Sequence, residues 1–177
     1  MNRLFMVFLG VLAAAGDGFA QPLPGAFHEV APFIGFYAPD RFQTSMAFGL
    51  RYYYKLDDRF AFGALFGMAQ AKQDYFKKIS TFYPELGSDR VVYYGLRVMH
   101  SPAVKPVIPY LLVHLGLTQI HDESNLTFAI GLGTQILTNR NFTLRYEMVD
   151  YLFTSGKDAT SWTNNNLEVV VVFGWLF

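Results

Sequence analysis

The sequence predicts an all-β chain, an eight-stranded antiparallel β-barrel that crosses a membrane. Three observations lead there. Apolar residues recur with a period of two over segments of about ten to fourteen residues. Glycines and charges gather on the opposite parity. Among 177 residues stand 18 Phe, 11 Tyr and 2 Trp, with charged residues at 16%, an apolar load above that of ordinary water-soluble domains.

The first element is an address. Met1 to Arg3 carry one positive charge and Leu4 to Ala15 form an apolar run. Gly18 and Ala20 then place small residues just before a cut ahead of Gln21. This is the layout of a cleavable secretory signal over 1–20, and the run is too short to cross a bilayer as a helix. The remainder, 21–177, reads as one barrel domain.

Strands follow at 29–38, 44–55, 60–71, 91–100, 107–120, 126–138, 142–153 and 166–177. A tilted strand needs about nine to eleven residues to cross a membrane, and these segments supply them. The connections at 56–59, 101–106 and 139–141 are tight turns. Segments 72–90 and 154–165 are long and polar, while 39–43 and 121–125 are short. Short turns on one side and longer loops on the other fit an up-and-down barrel with both termini on the short-turn side.

The two faces decide the surroundings. One face carries Met46, Phe48, Leu50, Phe62, Phe66, Leu96, Leu115, Phe128, Leu144 and Val169, none of them charged. The other carries Glu29, Arg51, Arg97, His114, Gln135, Arg145, Glu147 and Glu168, together with the strand glycines. Eight strands enclose just enough space for side chains, so the polar, glycine-rich face turns inward. The apolar face turns to lipid, since in water it would drive aggregation. Tyr52, Tyr53, Tyr54, Tyr93, Tyr94, Tyr151 and Trp175 lie near strand ends, where interfacial girdles belong, although the parity of Tyr53 and Tyr93 also fits the lumen. Three inward Arg balance three inward Glu. Arg145 and Glu147, two apart on one strand, are expected to pair with each other or with Glu168, flanked by Gln135.

The last strand, Leu167-Glu168-Val169-Val170-Val171-Val172-Phe173-Gly174-Trp175-Leu176-Phe177, resembles the C-terminal assembly signal of outer-membrane barrels, carried by Phe173, Trp175 and Phe177. The mature chain looks like a small OmpA-like or OmpX-like barrel, an up-and-down meander. Asn139 to Tyr151, followed by Thr163 to Glu168, is similar to the outer-membrane β-barrel domain proteins. The resemblance implies a place in a Gram-negative outer membrane, contact with its lipid and lipopolysaccharide, and delivery by the barrel insertion machinery. The peptidoglycan-anchoring role of full OmpA proteins is not carried over by the resemblance, since no match to their C-terminal domain is expected in 21–177.

Zero net charge gives no footprint for nucleic acid, and the absence of Cys excludes disulfides and thiolate metal sites. The four histidines show no metal-ligand spacing, so no metal or cofactor is expected. The enzymatic candidate is His121-Asp122-Glu123-Ser124. Its Ser stands three residues from the His in a tight turn, a departure from the outer-membrane lipid A deacylases, so a polar hairpin is the preferred reading. The expected role is structural or surface-interacting, as a monomer with a side-chain-plugged lumen and no catalysis. Tyr75, Phe76, Lys77, Lys78, Phe82 and Tyr83 form the candidate contact loop. A lipid A-modifying enzyme, a narrow channel and a soluble lipocalin-like carrier are the alternatives.

Overall fold

The computed structural model describes residues 28–40, 42–57, 59–73, 89–102, 107–120, 123–139, 141–155 and 162–177. Eight long antiparallel strands form a closed ring: β1 (His28–Ala38), β3 (Ser45–Lys55), β4 (Phe60–Gln73), β5 (Asp89–His100), β6 (Val107–Ile120), β7 (Glu123–Asn139), β8 (Phe142–Ser155) and β9 (Trp162–Leu176). Each strand pairs with the next in sequence, and β9 returns to β1. A two-residue strand, β2 (Phe42–Gln43), pairs with the far end of β4. That strand falls inside the segment read from sequence as a plain loop. The long strands also extend past several predicted ends. β7 starts at Glu123, because backbone pairing to β6 continues through Ser124 and Asn125.

The register fixes the barrel's geometry. From His28 the cross-strand partners run through Tyr54, Phe62, Val98, Val113, Ile130, Asp150 and Leu167, and return to β1 at Ala38, ten residues further on. Ten residues of stagger over eight strands sets a tilt of about 40°. A tilted, closed ring leaves no unpaired edge, so every strand can meet lipid. At the β1–β9 closure the ladder skips Ala31 and Pro32, and a proline has no N–H to donate.

The wall is inverted relative to a water-soluble barrel. Phe36, Met46, Phe48, Leu96, Leu111, Leu115, Leu126 and Trp175 are exposed on the outside. The inside is lined by Glu29, Arg51, Arg97, Arg145, Glu147 and Glu168, each at most 1% exposed. One turn between strands is well defined. The Asp57 carboxylate accepts from the backbone N–H of Arg59 at 2.7 Å and of Phe60 at 2.6 Å. Those two bonds, Phe60 first, hold its pKa below the ordinary aspartate value.

Candidate functional site: the ion-paired lumen

The middle of the lumen is a quartet of charges from four strands. Arg51 on β3 donates to Glu147 on β8, and to Glu168 on β9 at 2.9 Å. Arg97 on β5 reaches the same Glu147 at 3.0 Å. Tyrosine hydroxyls complete the carboxylates: Tyr110 donates to Glu147 at 2.8 Å, while Tyr93 and Tyr151 donate to Glu168 at 2.5 and 3.2 Å. Arg97 also donates to the hydroxyls of Tyr53 and Tyr151, both at 3.2 Å. Two positive and two negative charges therefore close on one another away from water, with each carboxylate accepting at least three bonds. Buried charges persist only when paired and hydrogen-bonded in this way.

Nearer the short-turn end lies a separate pair. Arg145 donates to Glu29 on β1, and its Nε donates to Gln135 at 3.1 Å. Thr143 donates to the other Glu29 oxygen at 2.8 Å. The Arg145 guanidinium lies over the Tyr53 ring, 4.8 Å from its centroid, a favourable cation–π placement. This corrects the expected pairing of Arg145 with Glu147 or Glu168. Arg145 lies opposite Val172, four residues from Glu168 on β9. Glu147 is taken by Arg51 and Arg97. Parity assigns side chains to a face, but the stagger of the ring decides which of them share a level.

Rings fill the space that glycines leave. A methyl group on Gly67 would strike the Tyr93 ring, one on Gly63 the Tyr53 ring, and one on Gly133 the Tyr110 ring. His114 packs against the directly paired Gly95 and Gly116. Above the quartet Tyr37 stacks on Tyr93 with centroids 5.5 Å apart, and Tyr151 meets Tyr93 edge-on at 5.3 Å. Tyr53, Tyr93 and Tyr151 are thus buried in the lumen rather than in a girdle, whereas Tyr52, Tyr54 and Trp175 face outward. For Tyr151 this is a correction. It shares the inward parity of Arg145 and Glu147, and that parity outweighs its place near a strand end.

Phe173, Trp175 and Phe177 all face outward. The Phe177 ring stacks on His28 at 5.7 Å, and the two residues exchange backbone hydrogen bonds of 3.0 and 3.2 Å. Tyr75, Phe76, Lys77, Lys78, Phe82 and Tyr83 lie outside the described residues, as do residues 1–20, His121 and Asp122. Glu123 and Ser124 are exposed at the outer end of β7. The sequence reading passed over Tyr37, Tyr110 and Thr143 as lumen groups. Their parity, shared with the inward charges, is the signal that marks them. The same test marks Asp150, whose even position puts a carboxylate on the outward face of β8.

No family model and no curated protein matches the chain. Solved structures do. Neisserial surface protein A aligns with a TM-score of 0.67 at 12% identity, over 85% of this chain and 97% of that one. The outer membrane protein AlkL, solved in lipid bilayers, gives 0.54 at 11% identity over 93% and 94%. The outer membrane protein OprG of Pseudomonas aeruginosa gives 0.53 at 12% identity over 91% and 99%. At such low identity the likeness is one of architecture. The chain has the fold of the small OmpA-like and OmpX-like outer-membrane β-barrels.

Proposed function

We propose that this chain is a Gram-negative outer-membrane protein, exported through residues 1–20, whose lumen is plugged by its own side chains. Its role is structural or surface-interacting, with segment 72–90 as the contact loop, and it has no catalytic activity. It stands in the membrane as a monomer, placed there by the insertion machinery through Phe173, Trp175 and Phe177. One observation carries the reading: six charges are paired and buried inside while an apolar wall faces out. A carrier of apolar ligands needs the opposite arrangement. A selective channel needs an open or singly charged bore, whereas here the charges cancel within bonding distance.

The test combines fractionation with electrical recording. The protein should sediment with the outer membrane, migrate differently before and after boiling, and give no conductance steps in a planar bilayer. Recovery in the soluble periplasmic fraction would overturn the membrane placement. Sustained conductance by the parent would overturn the plugged lumen alone. Changed lipid A acylation on expression would restore the enzymatic alternative.

A further inference from the structure

We infer that the short-turn end of the β1–β9 seam is a latch that opens as a unit, hinged at Pro32, and uncovers the Glu29–Arg145 pair from the side. The inference goes beyond the role proposed above and rests on the fold alone. Backbone parity locates the hinge. His28 and Phe177 exchange both backbone hydrogen bonds, at 3.2 and 3.0 Å. In an antiparallel ladder such bonded pairs recur at every second residue. The even positions of β1 therefore turn their backbone groups to β9, and Pro32 is one of them. Its missing N–H falls where the seam needs a donor, opposite Phe173, and the ladder skips Ala31 and Pro32 there.

The break is confined to this seam. On its other side β1 pairs with β3 without a gap, with Pro32 against Leu50. β9 likewise pairs with β8 without a gap, through Leu144–Phe173 and Thr143–Gly174. Among the described residues, the other irregularity in the ring is a bulge between Leu137 and Asn139, beside a turn. Each strand can therefore part from the other while staying held on its far side. The skip divides the seam unequally. Above it, Ile34–Val171, Phe36–Val169 and Ala38–Leu167 are bonded pairs by the same parity. Among the described residues below it, Val30–Trp175 and His28–Phe177 remain. A segment tied by few backbone bonds opens locally, ahead of the whole fold.

The rings around His28 form a clasp that holds the latch shut. His28 stacks on Phe177 with centroids 5.7 Å apart and lies 5.3 Å from the Tyr54 ring. It also shares a 2.6 Å hydrogen bond with the Tyr52 hydroxyl. What the latch covers is charged. Gly174 sits against Glu29, where an added Cβ would strike the carboxylate and the Thr143 hydroxyl. At this point no side chain lies between Glu29 and the β9 backbone, and Glu29 is fully buried while the seam is closed. Opening below Pro32 admits water to the Glu29–Arg145 pair while the central quartet stays closed.

Amide hydrogen exchange of the protein in lipid nanodiscs, read residue by residue by NMR, tests the latch. Val30 and Trp175 should exchange together and faster than Ile34 and Val171. Pro32 is exposed on the outer face, so Pro32→Val fits there and supplies the missing donor. It should slow Val30 and Trp175 about fivefold, the gain of one hydrogen bond, without moving Ile34 or Val171. Tyr52→Phe loosens the clasp and should speed the same two amides about twofold, which preserves the test if the Val variant folds poorly. Heat-modifiable migration reports folding separately. Exchange that rises smoothly toward the chain end and ignores both variants would overturn the latch, because the terminus would then fray on its own. Equal rates at all four amides would overturn it as well, since the seam would then open only with the whole barrel.

Discussion

The central quartet and the lower pair of the lumen use the same two residue types, but they differ in redundancy. Glu147 accepts from Arg51, Arg97 and Tyr110, and Glu168 accepts from Arg51, Tyr93 and Tyr151. Glu29 in the lower pair accepts from Arg145 and Thr143. Shared partners bind β3, β5, β8 and β9 across the bore, whereas the pair ties β1 to β8. The comparison teaches that removing Arg51 disturbs two carboxylates, while removing Arg145 strands a single charge.

The largest effect should therefore come from Arg51→Met. Breaking a buried ion pair by removing one partner costs about 3–5 kcal/mol, because the remaining charge is uncompensated. Arg51 serves two carboxylates, so its loss should lie at the top of that range. The urea midpoint of the lipid-embedded protein measures it. A loss no greater than that of Arg145→Met would show that the quartet is not the more coupled region.

Arg145→Met should come next, with a loss of about 3 kcal/mol at the low end of the same range. The partner assignment is tested by rescue. Adding Glu29→Gln should restore part of the midpoint, because no unpaired charge is left. Adding Glu147→Leu or Glu168→Leu should lower it further by opening the quartet. Rescue by either Leu change would reinstate the pairing that adjacency on β8 favours.

Gly67→Val should have a smaller effect, since overpacking a filled interior costs about 1–3 kcal/mol. A Cβ at Gly67 would meet the Tyr93 ring, which donates to Glu168. If displaced Tyr93 is what matters, Tyr93→Ala should relieve the strain while losing that hydrogen bond. An additive loss in the double variant would mean that the ring is not the obstacle.

These outcomes also mark how far the sequence could be read. Period-two alternation identifies strands and faces because one side must meet lipid and the other a narrow bore, so Arg51, Arg97, Glu147 and Glu168 are visible as inward groups. Their partners are not visible. The ring's stagger places Glu29, on the first strand, beside Arg145, on the eighth of nine, although 116 residues separate them. Tyr151 lies near a strand end yet is buried in the bore, because its parity turns it inward. Asp150 is legible by parity alone as an outward carboxylate on β8.

The smallest effect belongs outside the bore, at the turn after β3, and it sharpens the comparison by testing a charge without a charged partner. Asp57 is fully exposed, and its carboxylate is held by two backbone N–H groups. Its folded pKa is lowered, so its contribution to stability is present above the ordinary aspartate value. That contribution is lost as pH falls through the depressed folded value. Asp57→Asn keeps an oxygen acceptor but not the charge. The parent should therefore have a slightly higher urea midpoint than Asp57→Asn at neutral pH, and the gap should close in acid. Every other charged group is common to both proteins and cancels in the difference. A gap that stays constant or widens as pH falls would mean that the turn is held by its backbone pairing, with Leu56 N–H donating to the Phe60 carbonyl at 3.0 Å, rather than by the Asp57 charge.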